Sequence, residues 1–77
     1  MKKIYLVTGG FGLLGVSLVK LLLKKKAKVV ILDYKSKRKN FFPKTKDLII
    51  EKGNFCEQKF VEKILNKYKF SCIFHLG

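Results

Sequence analysis

Hydrophobic residues in this 77-residue chain fall into two kinds of block, and their alternation predicts a layered α/β fold. Ile4-Tyr5-Leu6-Val7 and Val29-Val30-Ile31-Leu32 are unbroken apolar runs, the pattern of parallel strands covered on both faces. Between them, Leu14, Ser17, Leu18, Leu21 and Leu22 share one helical face, and Val16, Val19 and Leu23 widen it into a broad apolar band. A second amphipathic stretch follows the break at Gly53-Asn54. There Phe60, Val61, Ile64, Leu65 and Tyr68 keep the i, i+4 spacing of a core-facing stripe. The expected elements are strands over 3–7, 28–32, 48–51 and 71–75, and helices over 12–24 and 56–68. Residues 34–47 are polar, basic and interrupted by Pro43, and read as a loop around the sheet edge with room for one helical turn. Right-handed crossovers between such elements give a parallel sheet in the order 3-2-1-4, with helices packed on its faces.

The junction between the first strand and the first helix carries Thr8-Gly9-Gly10-Phe11-Gly12-Leu13-Leu14-Gly15. Gly10, Gly12 and Gly15 fit a G-x-G-x-x-G spacing, and Gly9, Gly12 and Gly15 fit G-x-x-G-x-x-G. Glycine serves such a turn in three ways: a tight bend, close approach of the backbone to a pyrophosphate, and close helix–strand contact. The helix N-terminus adds N–H groups without intrahelical partners and a partial positive charge. Asp33 stands at the carboxyl end of the second strand, 18 positions after Gly15. A carboxylate at about that spacing meets the adenosine ribose hydroxyls of a dinucleotide. Strand, glycine turn, helix, strand and acid in that order describe one dinucleotide-binding βαβ unit.

The formal net charge of +13 raises the question of nucleic acid. All but one of the eighteen basic residues are lysine, and Arg38 alone can make a planar bidentate contact. The lysines are spread over helix faces and loops, with denser runs at 24–28 and 35–39. This predicts weak, salt-sensitive attraction to polyanions and no specific nucleic-acid recognition. Cys56 and Cys72 form no C-x-x-C pair and the chain has one histidine, which excludes a zinc site or a disulfide framework. Both cysteines are expected as buried, reduced thiols. Met1-Lys2-Lys3 followed by sixteen uncharged residues has the outline of a signal peptide, but Gly9, Gly10, Gly12 and Gly15 interrupt it and no small-residue cleavage site follows. No apolar stretch reaches the length of a membrane span, so a cytoplasmic protein is expected.

Four segments in order and spacing resemble the N-terminal part of the extended short-chain dehydrogenases/reductases, the NAD-dependent epimerase/dehydratase family typified by UDP-glucose 4-epimerase. They are Val7-Thr8-Gly9-Gly10-Phe11-Gly12-Leu13-Leu14-Gly15, Val30-Ile31-Leu32-Asp33, Glu51-Lys52-Gly53-Asn54-Phe55 and Ile73-Phe74-His75-Leu76-Gly77. The resemblance implies that residues 1–77 are the N-terminal part of an NAD(P)-binding Rossmann domain, a partial Rossmann fold. It places backbone N–H groups near Leu13 and Leu14 toward the pyrophosphate, across the turn made by Gly9 and Gly12. It has Asp33 accept hydrogen bonds from the adenosine ribose, and it sets Leu76 and Gly77 beside the pyrophosphate and nicotinamide ribose. The family's usual Asp and aliphatic pair at the adenine is Asn54-Phe55 here, so an amide replaces a charge-assisted contact. Asp33 favours NAD over NADP because a carboxylate repels a 2′-phosphate, while Lys35, Lys37 and Arg38 soften that repulsion. His75 is expected to be structural, at the inner end of the fourth strand.

The family's chemistry rests on a Ser/Thr and a Tyr-x-x-x-Lys pair, and no Tyr-x-x-x-Lys occurs among these residues. The chain is therefore expected to bind cofactor without catalysing alone, and to meet a nucleotide-sugar substrate only with further polypeptide. Three readings stay open: a segment of a longer enzyme, a half that pairs through its fourth-strand edge with itself or another chain, and a basic non-enzymatic binding module.

Overall fold

A computed structural model describes residues 2–9, 12–33, 42–43, 45–54 and 56–76. Its elements run β1 (Ile4–Thr8), α1 (Leu13–Lys24), β2 (Lys28–Asp33), β3 (Leu48–Lys52), α2 (Gln58–Lys67) and β4 (Cys72–His75). All strand pairings are parallel and the sheet order is β3-β2-β1-β4, as the sequence pattern predicts. Most of the expected loop over 34–47 lies outside the described residues. Phe42, from that stretch, is buried in the core.

The register explains the unbroken apolar runs. Ile50, Ile31, Val7 and Phe74 lie side by side across the four strands, and Ile49, Val30, Leu6 and Ile73 form the next row. Successive residues of a strand point to opposite faces, so both faces of β1 and β2 need apolar side chains. One face packs Val7, Val29 and Ile31 against Val19 of α1 and Phe42, and the other packs Leu6, Val30 and Leu32 against Ile64 of α2. The strands extend one residue further than expected at the carboxyl ends of β1, β2 and β3, which brings Thr8, Asp33 and Lys52 into the ladder.

Helix α1 is rotated from its expected face. Gly15 and Val19 are buried and Val16, Leu18, Leu22 and Leu23 pack beside them, whereas Leu14 and Leu21 are exposed. A band that is apolar nearly all round cannot select its own inner face. Contact with the sheet sets it, with Gly15 and Val19 on the buried side. Leu65 likewise leaves the expected stripe of α2 and is exposed.

The end of α1 is a Schellman turn without glycine. Lys26 N–H donates to the Leu23 carbonyl at 3.0 Å and Ala27 N–H to the Leu22 carbonyl at 3.1 Å, with Lys26 at φ 62°. The cysteines depart from expectation too: Cys56 and Cys72 are free but exposed. Cys56 lies in the turn before α2 and Cys72 opens a sheet-edge strand, so no second layer covers either. Among the described residues no helix is long and apolar enough to cross a membrane.

Candidate functional site

A parallel sheet puts the carboxyl ends of all its strands on one side, so Thr8, Asp33, Lys52 and His75 mark one end of the molecule. The expected site residues Gly9, Gly12, Leu13, Leu14, Asp33, Asn54 and Leu76 all sit there, at or just beyond these strand ends. Phe55 and Gly77 lie outside the described residues, as do Gly10 and Phe11.

The turn from β1 into α1 is built from two glycines used differently. Gly9 has φ 72°, in the left-handed region that side chains other than glycine enter at a cost. Its carbonyl accepts the Gly12 N–H at 3.2 Å, and the Gly12 carbonyl accepts the Val16 N–H at 2.8 Å, which starts the helix. Gly12 is the N-cap, with φ −74° and ψ 170°, a conformation any residue adopts. A Cβ built on Gly12 would meet the Gly9 carbonyl oxygen at 3.6 Å, an ordinary contact. Among the described residues the fold therefore has room for a side chain at Gly12.

The helix end behind this turn is open. No side chain caps it and no acidic residue stands in its first turn. The first N–H groups of any α-helix lack intrahelical partners, so such an end attracts anions. Leu13 is 89% exposed and Leu14 70% exposed, so their side chains stand away from the core while their amides ring the helix mouth.

Other expected residues surround this end. Asp33 closes β2 in register with Lys52 of β3, an adjacency that sequence spacing did not reveal. Asn54 accepts the Cys56 N–H on Oδ1 at 2.9 Å and the Glu57 N–H on its carbonyl at 3.0 Å, which shapes the turn into α2. Leu76 donates its N–H to the Thr8 carbonyl at 3.0 Å, and this bond ties the end of β4 to the end of β1. The buried Thr8 brings its hydroxyl within 2.5 Å of His75 Nδ1. That contact joins the two strands beside the glycine turn. Residue identity alone concealed its partner; the register, with Thr8 opposite His75, supplies it.

A second polar cluster ties α2 to β3. Tyr68 donates its phenol hydrogen to Glu51 Oε2 at 2.6 Å, and Lys67 Nζ lies 2.9 Å from the same oxygen. The Tyr68 hydrogen bond, and then that from Lys67, hold the Glu51 carboxyl below its ordinary range. Burial pushes the Tyr68 phenol up. With both partners spent on each other, this cluster anchors a helix. Among the described residues no group of three or more His, Cys, Asp or Glu side chains could hold a metal ion.

Comparison with known proteins agrees with this geometry. Residues 5–77 match the family model described as NAD dependent epimerase/dehydratase family. The enzyme WbmG of Bordetella bronchiseptica, solved in complex with NAD, superposes with a TM-score of 0.88 at 20% identity over 100% of this chain and 25% of its own. Epimerase Mth375 of Methanothermobacter thermautotrophicus superposes at 0.85 with 30% identity over 99% of this chain and 23% of its own. UDP-glucose 4-epimerase of Thermotoga maritima, solved with UDP-glucose, gives 0.82 at 23% identity over 96% and 24%. The chain thus spans about a quarter of the length of these structures. No curated protein sequence matches it.

Proposed function

Since the chain belongs to the NAD dependent epimerase/dehydratase family, we propose that it binds NAD across the carboxyl ends of β1, β2 and β4, as the cofactor-binding segment of an enzyme acting on nucleotide sugars. The observation that carries this reading is Gly12. Among the described residues no contact requires its side chain to be missing, yet it stands at an uncapped helix N-terminus where a pyrophosphate would need the space. The co-crystallised NAD of WbmG supports the choice of ligand.

In this reading the N–H groups of Leu13 and Leu14 donate to the pyrophosphate, and Gly9 holds the turn that aims them. Asp33 accepts from the adenosine ribose hydroxyls. Asn54 and Phe55 border the adenine; one Asn54 Oδ1 lone pair holds the Cys56 amide and the second is left for the exocyclic amine. Leu76 and Gly77 flank the pyrophosphate and nicotinamide ribose. When bound, NAD supplies a hydride acceptor, and the polypeptide contributes orientation and electrostatics. The acid/base tyrosine and lysine of the family's reaction are not among these 77 residues, so the substrate-facing chemistry is assigned to further polypeptide.

Calorimetric titration of NAD and NADP tests this. Saturable NAD binding, weaker NADP binding, and loss of NAD affinity in Asp33→Asn are expected. Absence of saturable NAD binding would overturn the proposal.

A further inference from the structure

The end of the sheet opposite the glycine turn has its own chemistry. Two hollows flank the amino-terminal end of β1, one on each face of the sheet. The first, about 630 Å³, lies on the α1 side and is lined by Lys25, Lys26, Tyr5 and Leu22. The second, about 520 Å³, lies on the α2 side and is lined by Lys67, Tyr68, Lys69 and Ser71. Lys2 and Lys3 line both and form the saddle between them. Six lysines therefore border these two hollows at one end of the sheet. The acidic groups facing it are Asp47, 2.6 Å from Lys2, and Glu51, 2.9 Å from Lys67. Lys3, Lys25, Lys26 and Lys69 are exposed around them.

We infer that this amino-terminal end binds the phosphodiester backbone of a single-stranded nucleic acid, without regard to base sequence. The partner must be anionic along its length, because the charge is spread through two hollows. It must be flexible, because contacting both hollows means bending around the end of a sheet. A duplex, stiff over roughly 150 base pairs, does not follow that bend. The core of a protein–protein interface is depleted in lysine and anchored by Trp, Tyr or Arg, whereas lysine dominates here. A membrane surface would call for a continuous apolar face among the lysines, whereas the exposed apolar side chains, Leu13, Leu14, Leu21, Leu65, Ile73 and Leu76, are scattered over both helices, β4 and the carboxyl strand ends. Lysine acts as a point charge that neutralises phosphates and reads no base edge, so binding is non-specific and releases counterions.

The test is the anisotropy of a labelled oligothymidylate over a series of salt concentrations. Each lysine engaged on a single strand steepens the dependence of log K on log salt by about 0.7. Lys3, Lys25, Lys26 and Lys69, which are not engaged with Asp47 or Glu51, predict affinity falling about 50-fold between about 50 and about 200 mM salt, and the one of them left in the first variant below predicts about threefold. The triple variant Lys3→Gln, Lys25→Gln, Lys69→Gln is expected to show the shallower dependence. The triple variant Lys20→Gln, Lys59→Gln, Lys63→Gln removes the same charge from exposed helix faces and is expected to keep the steep one. Amide shift mapping on the unmodified chain gives a readout free of any folding defect. Shifts clustered at residues 2–5, 25–28 and 67–71 support the inference, and shifts at 9–14 overturn it. Equal slopes for the two triple variants overturn it, as does tighter binding of a duplex, capture by phosphatidylserine vesicles without oligonucleotide binding, or displacement of the oligonucleotide by saturating NAD.

Discussion

Gly9 and Gly12 lie in one turn but answer to different demands, and alanine at each position separates fold from ligand. At Gly9 the left-handed φ of 72° costs a non-glycine residue about 1–2 kcal/mol. Alanine recovers about 0.4–1 kcal/mol by restricting the unfolded chain. The net loss is about 1 kcal/mol, which lowers the melting temperature of a domain this size by about 4–8 °C. At Gly12 the backbone is extended and the nearest atom to a new Cβ is 3.6 Å away, so strain is absent. The same unfolded-state gain is there offset by the poorer N-capping of alanine, and the melting temperature is expected to stay within about 2 °C. The effect on ligand runs the other way. In the proposed mode of binding the Gly12→Ala methyl group stands in the path of the pyrophosphate, and it is expected to weaken NAD binding at least tenfold, or about 1.4 kcal/mol. Thermal unfolding by circular dichroism and NAD titration on both variants provide the comparison. If Gly12→Ala melts as low as Gly9→Ala, its glycine serves the fold; if it binds NAD as the parent chain does, the cradle argument is refuted.

Gly53 predicts a steric effect: a Cβ there would land on the ring of Phe60, so Gly53→Ala is expected to cost about 1–3 kcal/mol. Adding Phe60→Leu should recover part of that loss, and denaturant unfolding of the two singles and the double measures the coupling. At the end of α1, Lys26→Gly removes left-handed strain of about 1–2 kcal/mol against about 0.4–1 kcal/mol of added unfolded-state entropy, so a melting temperature a few degrees higher is expected. Tyr68→Phe removes the phenol that, ahead of Lys67, holds the Glu51 carboxyl low, at a cost of about 1 kcal/mol near neutral pH. Because that carboxyl's folded value is depressed, the stabilisation is present above the ordinary carboxylate range and fades as pH falls through the folded value. The parent and Tyr68→Phe unfolding curves should therefore converge in acid, and a gap that persists to about pH 2 would refute the assignment.

The sheet was legible because its middle strands are buried on both faces, which no other arrangement of Ile4–Val7 and Val29–Leu32 satisfies so simply. The glycine turn was legible through its spacing, and so was Asp33 at the end of β2. The rotation of α1 was not, because leucines surround that helix and only contact with the sheet reveals that Gly15 faces inward. The helix end at Lys26 gave no signal either, since glycine is the usual mark of such a turn and lysine stands in its place. Pairings across strands, Thr8 with His75 and Asp33 with Lys52, depend on register, which a linear pattern does not carry. The same holds for the lysine-lined hollows. Lys2, Lys25 and Lys69 are far apart in sequence and come near one another only because the amino-terminal strand end and both helix exits share one end of the sheet.

Strand β4 has four residues, pairs among the described residues only with β1, and ends in the Leu76 amide bonded to Thr8. One wall of the proposed cofactor seat therefore rests on the part of the sheet easiest to peel away, while the glycine turn on the other side rests on a strand paired on both edges. Amide hydrogens of β4 should exchange with solvent ahead of those in β1 and β2, since local opening there breaks the fewest contacts. A dinucleotide spanning the two strands would act as a clasp, lengthening the lifetime of the closed seam. Occupancy of the seat would then be recorded in the exchange rates of β4.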